Sequence, residues 1–210
     1  MAPTFKFAAM SRRAAITAAA LMATAAIAGC SQKSGGAAEG DMALGAAAGA
    51  KVTVVEYASV TCSHCAAWNK EVWPEFKAKY VDNNKVRFVF REFPTPPQDI
   101  AAAGFMLARC AGDDKYFDVV HAIMESQQEW MNGVPPRQSL NRIAQGAGLS
   151  QAQIETCLND KEGVAALEKR IRAGIDAGVT GTPAFYVNDQ KVVDSSLAGL
   201  SAAVDAALAK

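Results

Sequence analysis

Two cysteines separated by two residues, Cys62-Ser63-His64-Cys65, carry the strongest chemical signal in this 210-residue chain. Thiols at that spacing on the first turn of a helix can reach each other and cycle between dithiol and disulfide. Cys62 would sit where unpaired backbone N–H groups point outward, and the positive end of the helix dipole stabilises a thiolate there. His64, between the two, adds charge when protonated and favours the thiolate further. A thiol of lowered pKa is a good leaving group, so a disulfide through Cys62 is readily passed to another protein.

Such a pair needs a buried strand before it and a helix after it. Val52 to Tyr57 reads as the strand. Ala66 to Tyr80 reads as the helix, with a kink or break expected at Trp73-Pro74. These flanks, with the intervening histidine, argue against an inert structural disulfide. Half a zinc site is the other alternative, but a structural zinc needs four ligands. Cys30, Cys110 and Cys157 supply no second pair, and the other histidine, His121, stands mid-helix beside Val119, Val120 and Ile123, as a core residue does. No metal, nucleotide or flavin is implied. Trp68, Trp73 and Trp130 read as core or groove-lining aromatics.

Val86 to Phe93 alternates as a second strand and stops at Pro94-Thr95-Pro96-Pro97. The pattern then turns helical. Helices are expected near 98–111, 114–130, 137–147, 150–160 and 162–177, punctuated by Gly112, Gly133, Gly146-Ala147-Gly148 and Gly178. Ser150-Gln151-Ala152-Gln153 fits a capping box. With no strand signal over about 98–177, this stretch reads as an all-helical insertion in an α/β domain. A strand at Ala184 to Asn188, a tight turn, a short strand at Lys191 to Val193 and a helix from Ser196 to Ala209 complete a domain spanning 51–210.

Ahead of it, Lys6, Arg12 and Arg13 precede a short apolar run from Ala14 to Ala28, the pattern of a secretory signal over 1–29. The run is short for a comfortable membrane span. Ile27-Ala28-Gly29-Cys30 resembles the lipobox of bacterial lipoproteins, which implies lipid on Cys30; ordinary cleavage to a soluble protein is the alternative. Ser11-Arg12-Arg13 is a weak twin-arginine match. Ser31 to Ala50 holds five Gly and seven Ala in twenty residues. With Cys30 it reads as a lipidated, flexible tether over 30–50, with an end-to-end distance of roughly 25 Å. Without 1–29 the chain carries 18 basic against 21 acidic residues. No basic stripe remains, so no nucleic-acid partner is expected.

Export suits the cysteines, because disulfides persist in oxidising compartments. With Cys30 lipidated and Cys62–Cys65 as the redox pair, Cys110 and Cys157 remain. Cys110 shares a helical face with Ala103 and Leu107, and Cys157 shares one with Ile154 and Leu158, so both point to a common helical core. A structural disulfide between them is expected, with two buried free thiols as the alternative.

From about Leu44 onward, the order of these elements resembles the DsbA-like branch of the thioredoxin fold. The matching stretches are Val54-Val55-Glu56-Tyr57 ahead of Cys62-Ser63-His64-Cys65, and Gly178-Val179-Thr180-Gly181-Thr182-Pro183-Ala184-Phe185-Tyr186-Val187-Asn188. The resemblance implies an α/β thioredoxin fold with a helical insertion. It implies that Pro183 is cis and faces the cysteines, with the backbone of Thr182 placed to pair with an extended substrate peptide. It also implies that Glu56 is the buried acid beneath the site, able to take a proton from Cys65; strand alternation puts Glu56 on the face of Val52 and Val54. Ser63-His64 stands where the best-known oxidases have Pro-His, which implies a less oxidising couple.

The activity expected from all of this is thiol-disulfide exchange on the periplasmic side of a bacterial envelope. Cysteines of exported proteins would be oxidised, and a membrane redox partner would restore the Cys62–Cys65 disulfide. A reductase or isomerase on the same fold is one alternative, and a non-catalytic, partner-binding lipoprotein is another. Disulfide isomerases of this fold carry a dimerisation domain before the catalytic one. The stretch 31–50 is too short and too poor in large apolar residues to build one, so a monomer and an oxidising couple are expected.

Overall fold

The computed structural model describes residues 38–210. The expected leader over 1–29, Cys30 and the first part of the tether lie outside the described residues. Among those described, one sheet has the order β1-β3-β2-β4-β5, formed by β1 (Met42–Gly45), β2 (Thr53–Ala58), β3 (Arg87–Glu92), β4 (Ala184–Val187) and β5 (Gln190–Val192). β2 and β3 are parallel, in register from Thr53 opposite Arg87 to Ala58 opposite Glu92. The other pairs are antiparallel. β2 lies at the centre and is covered on both faces, so Val54 through Ala58 are all buried, Glu56 among them.

α1 (Ser63–Glu71) leaves the carboxyl end of β2. It stops at Val72, and α2 (Trp73–Phe76) restarts with Pro74 in its first turn before a π-helical turn at Lys77–Val81. Pro74 has no N–H to donate back along the ladder, so the break falls where the proline requires it. Between β3 and β4 come α3 (Gln98–Cys110), α4 (Tyr116–Met131), α5 (Pro136–Gly146), α6 (Gln151–Leu158) and α7 (Lys161–Asp176), and α8 (Leu197–Leu208) ends the chain. The Ser150–Gln153 capping box is formed reciprocally at the start of α6. The helical insertion therefore lies where periodicity and glycine spacing put it.

The main core joins one sheet face to α1, α2, α8 and the insertion. Val54 and Phe88 meet Trp68, Trp73 and Phe76, and Phe105, Ile123 and Leu200 extend the same cluster. On the other face, Val55, Tyr57, Val89 and Tyr186 form a smaller cluster, and α7 closes on it so tightly that a Cβ at Gly174 would stand 3.1 Å from the Tyr57 ring. The β4–β5 hairpin turns through Asn188 and Asp189 with φ of 45° and 69°. That is the left-handed pair a two-residue hairpin turn needs, and Asn and Asp tolerate it better than most residues.

The structure departs from the expected flexible tether at 42–45. Met42 to Gly45 is an antiparallel edge strand registered on β3 from Phe90 to Arg87. Met42 is buried in the main core, and just before the strand Asp41 is gripped by both Nε and Nη2 of Arg91 at 2.8 Å each. Two apolar side chains and one ion pair suffice because β3 offers an open edge. Composition alone cannot register four residues within an Ala/Gly stretch. Among the described residues, no helix is long and apolar enough to cross a membrane.

Candidate active site

The turn between β2 and α1 is tied down from three directions before any sulfur chemistry is considered. Thr61 Oγ1 donates to the Thr95 carbonyl at 2.8 Å, and the Thr95 N–H donates to Ser59 Oγ at 3.0 Å. From the helical insertion, Gln127 Nε2 donates to the carbonyls of Val60 at 2.8 Å and Cys62 at 3.3 Å. Gly104 of α3 allows the same close approach, since a Cβ there would come within 2.9 Å of Val60 Cγ2. Gln127 had no distinguishing sequence signal. It reads as one more polar residue in Ser126-Gln127-Gln128, and its role is visible only once α4 is docked.

Held in this way, Cys62 is the N-cap of α1, with extended backbone (φ −84°, ψ 117°), and its Sγ accepts from the Cys65 N–H at 3.2 Å. A sulfur thus takes the place that a Ser or Asp oxygen takes at an ordinary N-cap. Across from it, the Thr182–Pro183 bond is cis, and the Thr182 carbonyl accepts from Cys62 Sγ at 3.4 Å. Thr182 Oγ1 is buried without a hydrogen-bond partner. The carbonyl therefore serves the thiol, and the unused hydroxyl is available to donate to the thiolate. Trp68, one turn along α1, packs on Phe185 at 4.6 Å between ring centroids and donates from Nε1 to the Ser195 carbonyl at 2.9 Å. This joins the cysteine helix to β4, directly after Pro183, and to the turn that leads into α8.

The two thiols are free and chemically unlike. The Cys62 thiol is lowered from 9.0 to about 6, first by a hydrogen bond from the Cys65 thiol, then, against the opposing effect of burial, by the Thr182 side chain and the backbone N–H groups of Cys65 and His64. Cys65 has no exposed surface, and its pKa is pushed well above the ordinary value by burial, by its hydrogen bond to Cys62 and by the charge of Glu56. Glu56 is itself 4% exposed, and its carboxyl is raised from 4.5 to about 8 by burial and by the Cys62 charge. Three interacting groups thus share little charge: a stable thiolate at Cys62, a protonated thiol behind it and a carboxyl neutral at pH 7.

His64 is exposed, and its contribution to Cys62 comes through the backbone amide, whereas the sequence had suggested the imidazole. His121 is lowered to about 4 by burial and packs against Trp73 and Phe117, away from the cysteines. A disulfide joins Cys110 of α3 to Cys157 of α6, with Cα atoms 6.3 Å apart. Among the described residues, no group of His, Cys, Asp and Glu could hold a metal ion. Cys30 lies outside the described residues.

A family profile described as thioredoxin matches residues 37–206. A Rickettsia conorii protein provisionally named a protein-disulfide oxidoreductase is 40% identical over 172 residues, which is 81% of this chain and 61% of that one. The chain spans about three-fifths of the length of the curated relatives it matches first. Among solved structures, alpha-DsbA1 of Wolbachia pipientis superposes with a TM-score of 0.71 at 27% identity, covering 83% of this chain and 94% of that one. Oxidised BdbD of Bacillus subtilis gives 0.71 at 19% identity over 84% and 97%, a likeness of fold.

Proposed function

Because this chain belongs to the thioredoxin family and has the DsbA-like form of its fold, we propose that it is a thiol-disulfide oxidoreductase that donates the Cys62–Cys65 disulfide to exported proteins. The supporting observation is the opposed acidity of two thiols three residues apart, one lowered at a helix N-cap and one raised in the interior.

In the exchange, a substrate thiolate attacks Cys62 Sγ. The Cys62–Cys65 bond breaks, a mixed disulfide forms, and Cys65 leaves and takes up a proton. A second substrate thiolate then attacks its neighbour's sulfur, and Cys62 departs as a stabilised thiolate. The substrate is oxidised by two electrons and the enzyme is reduced by two. A membrane redox partner that accepts two electrons from the dithiol restores the disulfide. Glu56 exchanges the proton of Cys65, its pKa of about 8 suiting that task near neutral pH. Thr182 and Pro183 receive the substrate backbone beside Cys62. The protein acts as a monomer on the periplasmic side of the envelope, held there by lipid on Cys30. Cys30→Ser then releases it from membranes without unfolding it.

Equilibration with glutathione tests the direction of exchange. An oxidising couple is expected. A potential as low as that of thioredoxin would assign the protein to reduction, and failure of Cys65→Ala to trap a mixed disulfide through Cys62 would remove the exchange mechanism altogether.

A further inference from the structure

At the upper end of β3, where the chain enters β1, α7 leaves a gap. The α7 residues that line it include Ala166, Arg170, Ala173, Gly174 and Ala177, Gly174 being the one that touches the Tyr57 ring closely. Helices that pack on sheets usually fill such positions with larger apolar side chains. Here small residues leave a cavity of about 400 Å3, bounded also by Tyr57 and by the chain at Gly40-Asp41. Neither Cys62 nor Cys65 lines it.

The charges around this cavity do not cancel. Asp41 is matched by Arg91, and Glu39 by Lys169 at 2.7 Å. Glu92, whose side chain has no exposed surface, accepts from Arg109 Nε and from Arg170 Nε, each at 2.6 Å. Two guanidinium groups on one carboxylate leave one positive charge over. Tyr116 Oη donates to the same carboxylate at 3.2 Å and adds no charge. Arg170 Nη2 is buried with no hydrogen-bond partner. A buried guanidinium nitrogen without an acceptor is costly, and the cost is relieved by any acceptor that enters beside it.

The geometry points to a binding site for a small organic monocarboxylate, its carboxylate set against the Arg170 guanidinium and its apolar body against the alanines of α7 and the Tyr57 ring. A cavity of this size suits a short aliphatic or single-ring body. The planar guanidinium fork favours a carboxylate over a spherical anion.

Calorimetry and thermal unfolding of the full chain test the site, with benzoate and hexanoate as probes and chloride and inorganic phosphate as controls at matched ionic strength. Saturable binding of the carboxylates with a rise in Tm is expected. Arg170→Gln should weaken it about tenfold or more, the loss of one charge-assisted hydrogen bond. Ala173→Leu, which fills the gap and leaves Arg170 and Glu92 intact, should abolish binding while thiol exchange continues. Should Arg170→Gln fail to fold, the Ala173→Leu comparison decides alone. No saturable binding, an equal response to chloride or phosphate, or unchanged binding in Ala173→Leu would overturn the site.

Discussion

Cys65 holds the largest share of the acidity of Cys62, and paired substitutions can measure that share. The Cys62 pKa of about 6 against an ordinary 9.0 is set first by the Cys65 thiol, with the amides of Cys65 and His64 adding to it. Cys65→Ala deletes the thiol donor and keeps the amides. A hydrogen bond to a charged group contributes about 1.5–3 kcal/mol, and one pKa unit corresponds to about 1.4 kcal/mol. The Cys62 midpoint should therefore rise by roughly one to two units in the alanine variant, to between about 7 and 8. It should stay below 9, because the helix N-terminus still faces the sulfur. Cys65→Ser keeps a donor at the same place and should remain within about half a unit of the native midpoint. Ultraviolet thiolate absorbance against pH measures both, and the pH dependence of alkylation rate provides a second reading. Equal midpoints in the two variants would refute the role given to the thiol. A return to 9.0 in the alanine variant would refute the role given to the amides.

Glu56→Gln should make the reduced protein more stable, by a margin that depends on pH. The folded carboxyl is raised from 4.5 to about 8, so its contribution is complete below 4.5 and is lost as pH rises through 8. The variant's advantage should grow across that window to at most about 5 kcal/mol and then level off, as urea unfolding at several pH values would show. A constant difference would mean that Glu56 ionises normally in the fold. Thr182→Val should raise the Cys62 midpoint by less than Cys65→Ala does, since its hydroxyl is the smaller contributor; the same thiolate titration reads it. Gln127→Glu keeps the shape but loses the donor to Val60 and Cys62, and sets a carboxylate against two carbonyls. Its Cys62 midpoint should rise and its couple should become less oxidising in glutathione equilibration. Gln127→His, which retains a donor, should lie nearer the native values.

The cysteine pair, its flanking strand and helix, and the five insertion helices were legible because each rests on local pattern. Thiol spacing, apolar periodicity, Gly at helix ends and Pro74 at a break all act within a few residues. β1 was not legible, since Met42-Ala43-Leu44 has meaning as a strand only beside the open edge of β3. Gln127 and the Glu92 cluster were hidden for the same reason. Arg109 and Arg170 stand 17 and 78 residues from the carboxylate they share, and in sequence each looks like an ordinary surface charge. For His64, the residue type suggested charge chemistry, whereas position on the helix gave its amide the contact with sulfur.

That distinction bears on the proposed exchange, because the acidity of Cys62 rests on a buried neighbour and on backbone donors held in place by the fold. Cys62 is 8% exposed and Cys65 is wholly buried, so an incoming thiolate has one sulfur to attack. The attack expels Cys65, the poorer leaving group, into a site where burial and Glu56 favour its protonation. The second step expels Cys62, the better one. The first step is therefore assisted by proton uptake inside the protein and the second by a preformed helix N-terminus. Both leave the enzyme as a stabilised thiolate beside a neutral thiol, the state that favours giving the disulfide away.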